Sequence, residues 1–427
     1  MGKAGWVGLV TAVALALTGC SASHHSKVAL AVTPATALYD APLTTTLHGL
    51  PAGALVSVSA SAPAKNGTVW SASADYRADP SGTVTLAQTA LGGSYAGQHP
   101  MGLFSSLEPP PTSADGSFVP PDQGFDLSIR ASVAGKQVAT ATVHRLSAAA
   151  VGVTHRPLRV ATDGIYGELF RPVDTMTVKP AVLMFGGSEG GLNNGLQRDA
   201  AVLAAHGYPT LALAYFAEPG LPAKLADIPL EYFARAVGVL RAQPGIDPKH
   251  VLVFGVSRGG EAALLVGSLF PNVVNGVIAG VPSSVVGPAP GKLSVANPAW
   301  TLGGRPLAHI GVGELGNPNP AGDQAAVIKV DKIAGPVLLS CGGDDNLWPS
   351  CPYVDAITAR LKRLHFSYPV TALQYPAGGH FAGDFSSLSI MTATALGVDG
   401  GTGGTPFANA LANLDGHAKL LSFLAQQ

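Results

Sequence analysis

The first candidate for chemistry is Ser257, which stands in the pentapeptide Gly255–Gly259 with the pattern G-x-S-x-G. An apolar run precedes the pentapeptide and a helical stretch follows it, which is the context that this motif requires. The glycines permit a tight turn that exposes the hydroxyl, and the N-terminus of the following helix favours developing negative charge. The pattern therefore predicts a nucleophile for acyl transfer.

Two later loops carry the partners that a nucleophilic serine needs. Asp345 follows an apolar run with G-x-x-D spacing from Gly342, and its neighbour Asp344 is the alternative. His380 lies in a Gly-rich loop directly after the last strand-like run and is the candidate general base. The order Ser, Asp, His along the chain is that of α/β-hydrolases, so the three loops together indicate a catalytic triad.

A second G-x-S-x-G match, Gly186–Gly190, also follows an apolar run, which makes Ser188 the alternative nucleophile. A further loop, Asn193–Gly195, separates this match from its helix. In α/β-hydrolases the loop at this position donates a backbone N–H to the oxyanion hole. We therefore predict an oxyanion hole formed by the N–H of Arg258 together with that of Ser188 or Glu189.

The second part of the chain, residues 151–427, alternates continuous apolar runs with helical stretches. Unalternated apolar strands are buried on both faces, and their alternation with helices predicts a mostly parallel sheet covered by helices on both faces. The predicted strands are Ala181–Phe185, Thr210–Tyr215, Val251–Phe254, Gly276–Val281, Pro336–Ser340 and Thr371–Tyr375. The predicted helices are Leu196–His206, Leu230–Ala242, Glu261–Phe270, Pro352–His365 and Pro406–Ala425.

Residues 30–150 show a different pattern, in which short alternating runs are separated by turn residues. The runs Ala54–Ser59, Gly82–Leu86 and Phe125–Arg130 are examples, and Asp79–Gly82 is a typical turn. Such spacing predicts an antiparallel, all-β, immunoglobulin-like sandwich ahead of the catalytic domain.

Composition excludes several classes of protein. The chain has 427 residues, of which 47% are hydrophobic and 12% charged, and its net charge is -1. This length accommodates two domains with sizeable cores, and the apolar content argues against disorder. Because there is no excess of basic residues, we expect no nucleic-acid partner. The sequence contains no P-loop and no H-E-x-x-H motif, so it indicates no cofactor and no metal site.

Residues 1–20 have the pattern of an export signal. Lys3 precedes an apolar run, Val7–Leu17, that is too short to span a bilayer. The run ends in Leu-Thr-Gly-Cys at Cys20, which resembles the bacterial lipobox, and residues 21–29 then form a tether. We predict lipidation of Cys20 and anchoring at the extracytoplasmic face of the bacterial cell membrane. The alternative is an ordinary signal peptide with an incidental cysteine.

Cys341 and Cys351 are the other two cysteines. In an exported protein, two spare thiols tend to pair, so we favour a disulfide that closes a short loop beside Asp345. The alternative is two unpaired thiols.

Several segments together resemble the acyl-CoA thioesterase/bile acid-CoA:amino acid N-acyltransferase family. In the second part they are Phe185–Gly191, Gly255–Glu261, Trp300–Leu307, Asp344–Trp348 and Pro376–His380. In the first part they are Tyr39–Pro42, His48–Pro51, Trp70–Ala74, Ser94–Tyr95 and Met101–Phe104. The likeness covers roughly residues 30–425, and both parts match in the same order.

The resemblance implies a dienelactone-hydrolase-like catalytic domain that performs acyl transfer. Hydrolases of this family use Ser as the nucleophile and its amino acid acyltransferases use Cys, and this chain has Ser257. The expected activity is hydrolysis of a small-molecule acyl thioester, such as an acyl-CoA, or of an ester. An acyltransferase with another acceptor and a catalytically silent binding lipoprotein are the alternatives.

Overall fold

The computed structural model describes residues 27–174, 179–290, 297–390 and 401–427. Within them, two sheets form a β-rich N-terminal part, and an eight-stranded sheet with helices and a small three-stranded sheet form the rest. The N-terminal elements are β1 (Ala29–Thr33), β2 (Thr36–Leu38), β3 (Thr44–His48), β4 (Leu55–Pro63), β5 (Val69–Arg77), β6 (Val84–Thr85), β7 (Gly92–Gly93), α1 (Gly102–Ser105), β8 (Gly124–Val133) and β9 (Lys136–Leu146).

The two N-terminal sheets pack around an apolar core. One sheet has the strand order β1-β3-β6 and the other β2-β9-β8-β4-β5-β7. Strand β5 alternates exposed and buried residues along its whole length, and the buried set includes Trp70 and Tyr76. This alternation is the pattern of a strand with one face on a core and one in solvent.

The C-terminal part begins at Thr154. Its strands are β10 (Thr154–Leu158), β11 (Tyr166–Arg171), β12 (Lys179–Phe185), β13 (Thr210–Ala214), β14 (Ile228–Pro229), β15 (Ile246–Val256), β16 (Val277–Gly280), β17 (Trp300–Leu302), β18 (Arg305–Pro306), β19 (Val337–Gly342) and β20 (Val370–Tyr375). Its α-helices are α2 (Val160–Asp163), α3 (Asn194–Ala205), α4 (Glu231–Arg241), α5 (Arg258–Leu269), α6 (Ser350–Arg363) and α7 (Pro406–Leu424).

The main sheet has eight strands in the order β10-β11-β13-β12-β15-β16-β19-β20. The six strands from β13 to β20 in this order are parallel, and β10 and β11 extend the edge in antiparallel fashion. Helices cover both faces: α4, α5 and α6 pack on one face, and α3 and α7 on the other. The predicted fold, a β-rich region followed by a mostly parallel α/β sheet, is therefore confirmed.

Strand β12 shows why the apolar runs predicted this architecture. Ala181, Leu183 and Phe185 belong to the core on one face of the sheet, and Val182 and Met184 to the core on the other. The carboxyl ends of the parallel strands meet at one edge of such a sheet, and ligands bind in the crevice beyond them. The loops after β12, β15, β19 and β20 are therefore brought together.

Candidate active site

Ser257 occupies a strained turn between β15 and α5. Its backbone has φ 58° and ψ -122°, a conformation that a residue with a side chain rarely adopts. The flanking glycines are required sterically, because a Cβ on Gly255 would collide with the carbonyl oxygen of Gly259, and one on Gly259 with that of Gly186. The turn places the Ser257 side chain at the first turn of α5.

A continuous chain of hydrogen bonds joins the three residues predicted from the sequence. The Ser257 hydroxyl lies 2.9 Å from Nε2 of His380, and Nδ1 of His380 lies 2.8 Å and 3.0 Å from the two carboxylate oxygens of Asp345. Because a carboxylate only accepts hydrogen bonds, Nδ1 carries the proton and Nε2 accepts the hydrogen bond of the serine hydroxyl. The arrangement can therefore remove the serine proton during attack.

The aspartate and the histidine are held by their own loops. The side chains of Asp345 and His380 are 1% and 7% exposed, so water screens their interaction little. The Asp345 carboxylate also accepts the backbone N–H groups of Leu347 and Trp348, and the indole of Trp348 lies edge-on to the His380 ring. Burial and these contacts fix the imidazole between its two partners.

The two adjacent aspartates have different partners. Asp344, the alternative triad carboxylate, accepts the backbone N–H of Gly404 at 2.8 Å and so ties its loop to the segment before α7. Asn409 of α7 accepts the N–H of Gly379, the residue before His380. No local sequence pattern predicts these supporting contacts, because they join loops that are distant along the chain.

The loop after β12 lies directly against the nucleophile. A Cβ on Gly187 would be 3.0 Å from Cβ of Ser257. Ser188 and Glu189 both line the cavity beside Ser257 and His380, and their side chains are exposed. Glu189 accepts the N–H of Gly187 at 2.9 Å, which shapes this loop. Arg258 is the first residue of α5, so its N–H has no partner within the helix.

A buried ion pair lies under the nucleophile turn. The guanidinium of Arg258 donates to Glu261 at 2.7 Å and to the carbonyl oxygen of Gly287. Glu261, which is fully buried, also accepts the indole N–H of Trp300 and the N–H of Gly287. Burial raises the pKa of the Glu261 carboxyl, and the neighbouring Arg258 opposes this rise. The network anchors the start of α5 to the segment after β16.

The cavity at the triad has a volume of about 690 Å³, within the range of small-molecule sites. Its lining includes four ionisable residues besides Ser257 and His380: Glu189, Arg198, Asp199 and Asp384. Desolvation raises the pKa of Asp384 well above its usual value, and the charges of Asp199 and Glu189 add to this rise. Both apolar and ionisable side chains therefore line the cavity.

Cys341 and Cys351 form a disulfide that joins the end of β19 to the first turn of α6. The bond encloses the loop that carries Asp345. The predicted lipidation site, Cys20, lies outside the described residues. In the part of the chain that is described, no helix is long and apolar enough to cross a membrane.

Family models match both parts of the chain. Residues 40–160 match the acyl-CoA thioester hydrolase/BAAT N-terminal region, and residues 228–427 match the BAAT/acyl-CoA thioester hydrolase C-terminal region. Acyl-coenzyme A thioesterase 1 of Mus musculus is 30% identical over 410 residues, which cover 91% of this chain and 94% of that protein. The chain belongs to the acyl-CoA thioesterase/BAAT family.

The chain is also similar to a second curated protein and to a solved structure. Acyl-coenzyme A amino acid N-acyltransferase 1 of Mus musculus is 30% identical over 83% of this chain and 86% of that protein. A dienelactone hydrolase-like promiscuous phosphotriesterase from metagenomic libraries is 19% identical, with a TM-score of 0.42 over 64% of this chain and 98% of that chain. The protein is an acyl-CoA thioesterase family hydrolase.

Proposed function

We propose that this chain is a serine acyl hydrolase that cleaves an acyl thioester or a carboxylic ester through an acyl-enzyme on Ser257. The observation that carries the proposal is the hydrogen-bond chain from Ser257 through His380 to Asp345. A serine hydroxyl is a weak nucleophile by itself, and an adjacent base that is oriented by a carboxylate activates it.

The reaction proceeds in two stages. Ser257 Oγ attacks the substrate carbonyl while Nε2 of His380 takes its proton, and Asp345 stabilises the resulting imidazolium. The tetrahedral intermediate then expels the thiol or alcohol, which receives the proton from His380. A water molecule, deprotonated by His380, attacks the acyl-enzyme, and His380 then returns the proton to Ser257 Oγ as the carboxylic acid is released.

The negative charge on the intermediate requires hydrogen-bond donors. The N–H of Arg258 at the start of α5 is one donor, and an N–H of Ser188 or Glu189 in the loop after β12 is the other. The proximity of Gly187 to Ser257 supports this role for the loop. Losing one such donor costs about 10²- to 10³-fold in kcat in other acyl-transfer enzymes.

Labelling with a fluorophosphonate probe tests the nucleophile. Wild type and Ser188→Ala should label, and Ser257→Ala should not. A screen of acyl-CoA thioesters and p-nitrophenyl esters of increasing chain length would then identify the preferred leaving group. A wild-type protein that stays unlabelled beside an active serine hydrolase would contradict the proposal and favour a binding lipoprotein.

One relative is named an N-acyltransferase, so transfer of the acyl group to an amine is the second candidate function. A serine ester is less prone to aminolysis than a cysteine thioester, which favours water as the acceptor here. Product analysis with added glycine decides between them: free acid alone indicates a hydrolase, and an N-acyl conjugate indicates a transferase.

We further propose that the protein is exported and lipid-anchored through Cys20 at the extracytoplasmic face of the bacterial cell membrane. The lipobox-like ending of the N-terminal signal supports this location, and so does the Cys341–Cys351 disulfide, since disulfides persist in oxidising compartments. Metabolic labelling with an alkyne fatty acid should modify wild type but not Cys20→Ser. Equal labelling of both would exclude this anchor.

A further inference from the structure

Three residues that the proposed mechanism does not use meet where the two parts of the molecule touch. Asp40 lies between β2 and β3, His206 directly follows α3, and His417 lies on α7. Oδ2 of Asp40 is 2.6 Å from Nε2 of His206 and 3.1 Å from Nε2 of His417. One ligand atom from each of the three lies within 4.8 Å of the others.

The hydrogen-bond partners of His417 are incompatible with a neutral imidazole ring. Its Nδ1 lies 3.1 Å from the carbonyl oxygen of Phe385, and its Nε2 faces the Asp40 carboxylate. Both partners only accept, whereas a neutral imidazole carries a single N–H. A doubly protonated ring would satisfy both acceptors, and so would a metal ion on Nε2, because Nδ1–H then donates to Phe385 and the Nε2 lone pair binds the ion. Metal-binding histidines commonly have such a backbone acceptor on the other nitrogen.

Asp40 provides an independent indication. Its side chain is 2% exposed, and its Oδ1 is buried with no hydrogen-bond partner among the described residues. A buried carboxylate oxygen without a partner is costly, so its lone pair is available to a ligand. The guanidinium of Arg145 donates to the carbonyl oxygens of Tyr39 and Ala41 on either side, which holds the loop in place.

We propose that Asp40, His206 and His417 bind one zinc ion, which ties the β-rich part to the α/β part. Imidazole nitrogens and carboxylate oxygens are zinc ligands with bonds of roughly 2.0–2.2 Å, and tetrahedral geometry then separates the ligand atoms by about 3.3 Å. The separations of 2.6 and 3.1 Å between Asp40 and the two histidines need to open slightly, and the two histidine nitrogens, which lie within 4.8 Å of each other, need to reach the same spacing. His206 is 32% exposed, so its side of the site admits the ion and a water as fourth ligand.

The sequence motifs gave no indication of this site. Asp40 is 166 residues from His206 and 377 residues from His417, so no local spacing signals it. Zinc held by all three residues would bind the folded chain more tightly than the unfolded chain, and would therefore raise its stability by mass action.

Zinc titration of the untagged, full-length chain tests the proposal after treatment with a chelator. Calorimetry and elemental analysis should give one zinc per chain, with a rise in melting temperature. His206→Gln and His417→Gln should lose this stoichiometric zinc. His24→Ala/His25→Ala and His380→Ala should keep it, which separates the site from the predicted tether and from the triad.

Cobalt substitution provides a second readout that does not depend on the variants folding. Bound Co²⁺ should give wild type the intense visible absorption of a four-coordinate ion, and Zn²⁺ should displace it. No zinc binding by wild type, a six-coordinate cobalt spectrum, or unchanged binding by folded His206→Gln would each overturn the proposal. In that case the cluster is a hydrogen-bonded Asp–His contact. None of these results depends on whether Ser257 is the nucleophile.

Discussion

Asp345 and Asp344 are neighbours in the chain, but their carboxylates have different partners. Asp345 contacts Nδ1 of His380, and Asp344 accepts the N–H of Gly404. Asp345→Asn should lower kcat by about 10⁴-fold, as in serine proteases, because its amide favours the wrong histidine tautomer. Asp344→Asn keeps a carbonyl oxygen that can accept the Gly404 N–H, so the decrease in kcat should be far smaller in this variant.

Steady-state hydrolysis of one p-nitrophenyl ester by both variants measures this difference, with circular dichroism as the check on folding. A larger loss in Asp344→Asn than in Asp345→Asn would reverse the assignment of the triad carboxylate. The G-x-x-D spacing from Gly342 favoured Asp345, and Asp344 remained the alternative because both residues follow the same strand.

Asp384 predicts a pH dependence of stability. Desolvation and the charges of Asp199 and Glu189 raise its pKa well above the usual 3.8. Its ionisation is therefore unfavourable in the folded state, and stability falls as pH rises through the raised pKa. Asp384→Asn mimics the neutral acid, so its melting temperature should exceed that of wild type at about pH 8 and match it at about pH 4.

Thermal melts of both proteins across that pH range test this expectation. The exposed Asp355→Asn serves as the matched control and should show no pH-dependent gain. A gain that is equal at both pH values would show that the effect of Asp384→Asn is not one of charge.

At the scale of elements, the predicted strands and helices of the second part coincide with β12, β13, β15, β16, β19 and β20 and with α3 to α7. Five of these six strands are mostly buried, so apolar runs signal them, whereas the edge strand β20 contains no buried residue. Strand β10 had no such signal, because four of its five residues are exposed. Its place is fixed by pairing with β11, which a local pattern does not contain.

Substituting alanine for each of two helical glycines should change stability in opposite directions. Gly259 in α5 has no room for a Cβ beside the carbonyl oxygen of Gly186, and Gly238 in α4 has open space. Gly259→Ala should lower the free energy of unfolding by more than about 1 kcal/mol and reduce activity, since the Ser257 turn must shift. Gly238→Ala should raise the free energy of unfolding by about 0.5–1 kcal/mol, because alanine has the higher helix propensity. Denaturant unfolding and ester hydrolysis measure both effects, and a tolerated Gly259→Ala would contradict this account of the turn.

At the scale of the whole molecule, the two parts share a core. Val202, Leu388 and Ile390 belong to the C-terminal part of the chain, yet they lie in the apolar cluster of the β-rich part. Phe407 of α7 stacks on Tyr95 from the same side. The alternating pattern of residues 30–150 predicts a sandwich, but the residues that complete its core lie outside that segment: Val202 is 52 positions beyond residue 150, and Leu388 is 238 positions beyond it. No local pattern assigns them to this core.

This shared core predicts that the two parts unfold together. Leu388 is 4% exposed, and Leu388→Ala should lower the free energy of unfolding by about 2–5 kcal/mol through lost burial and a cavity. Hydrogen exchange under mild denaturant should show an equal loss of protection in β4 of the sandwich and in β15 of the α/β sheet, because a cooperative unit unfolds as a whole. The exposed Leu91→Ala is the matched control and should change stability by less than about 0.5 kcal/mol. Protection that falls in β4 but not in β15 would show two independent domains, and the contact between them would then be a docking surface rather than a common core.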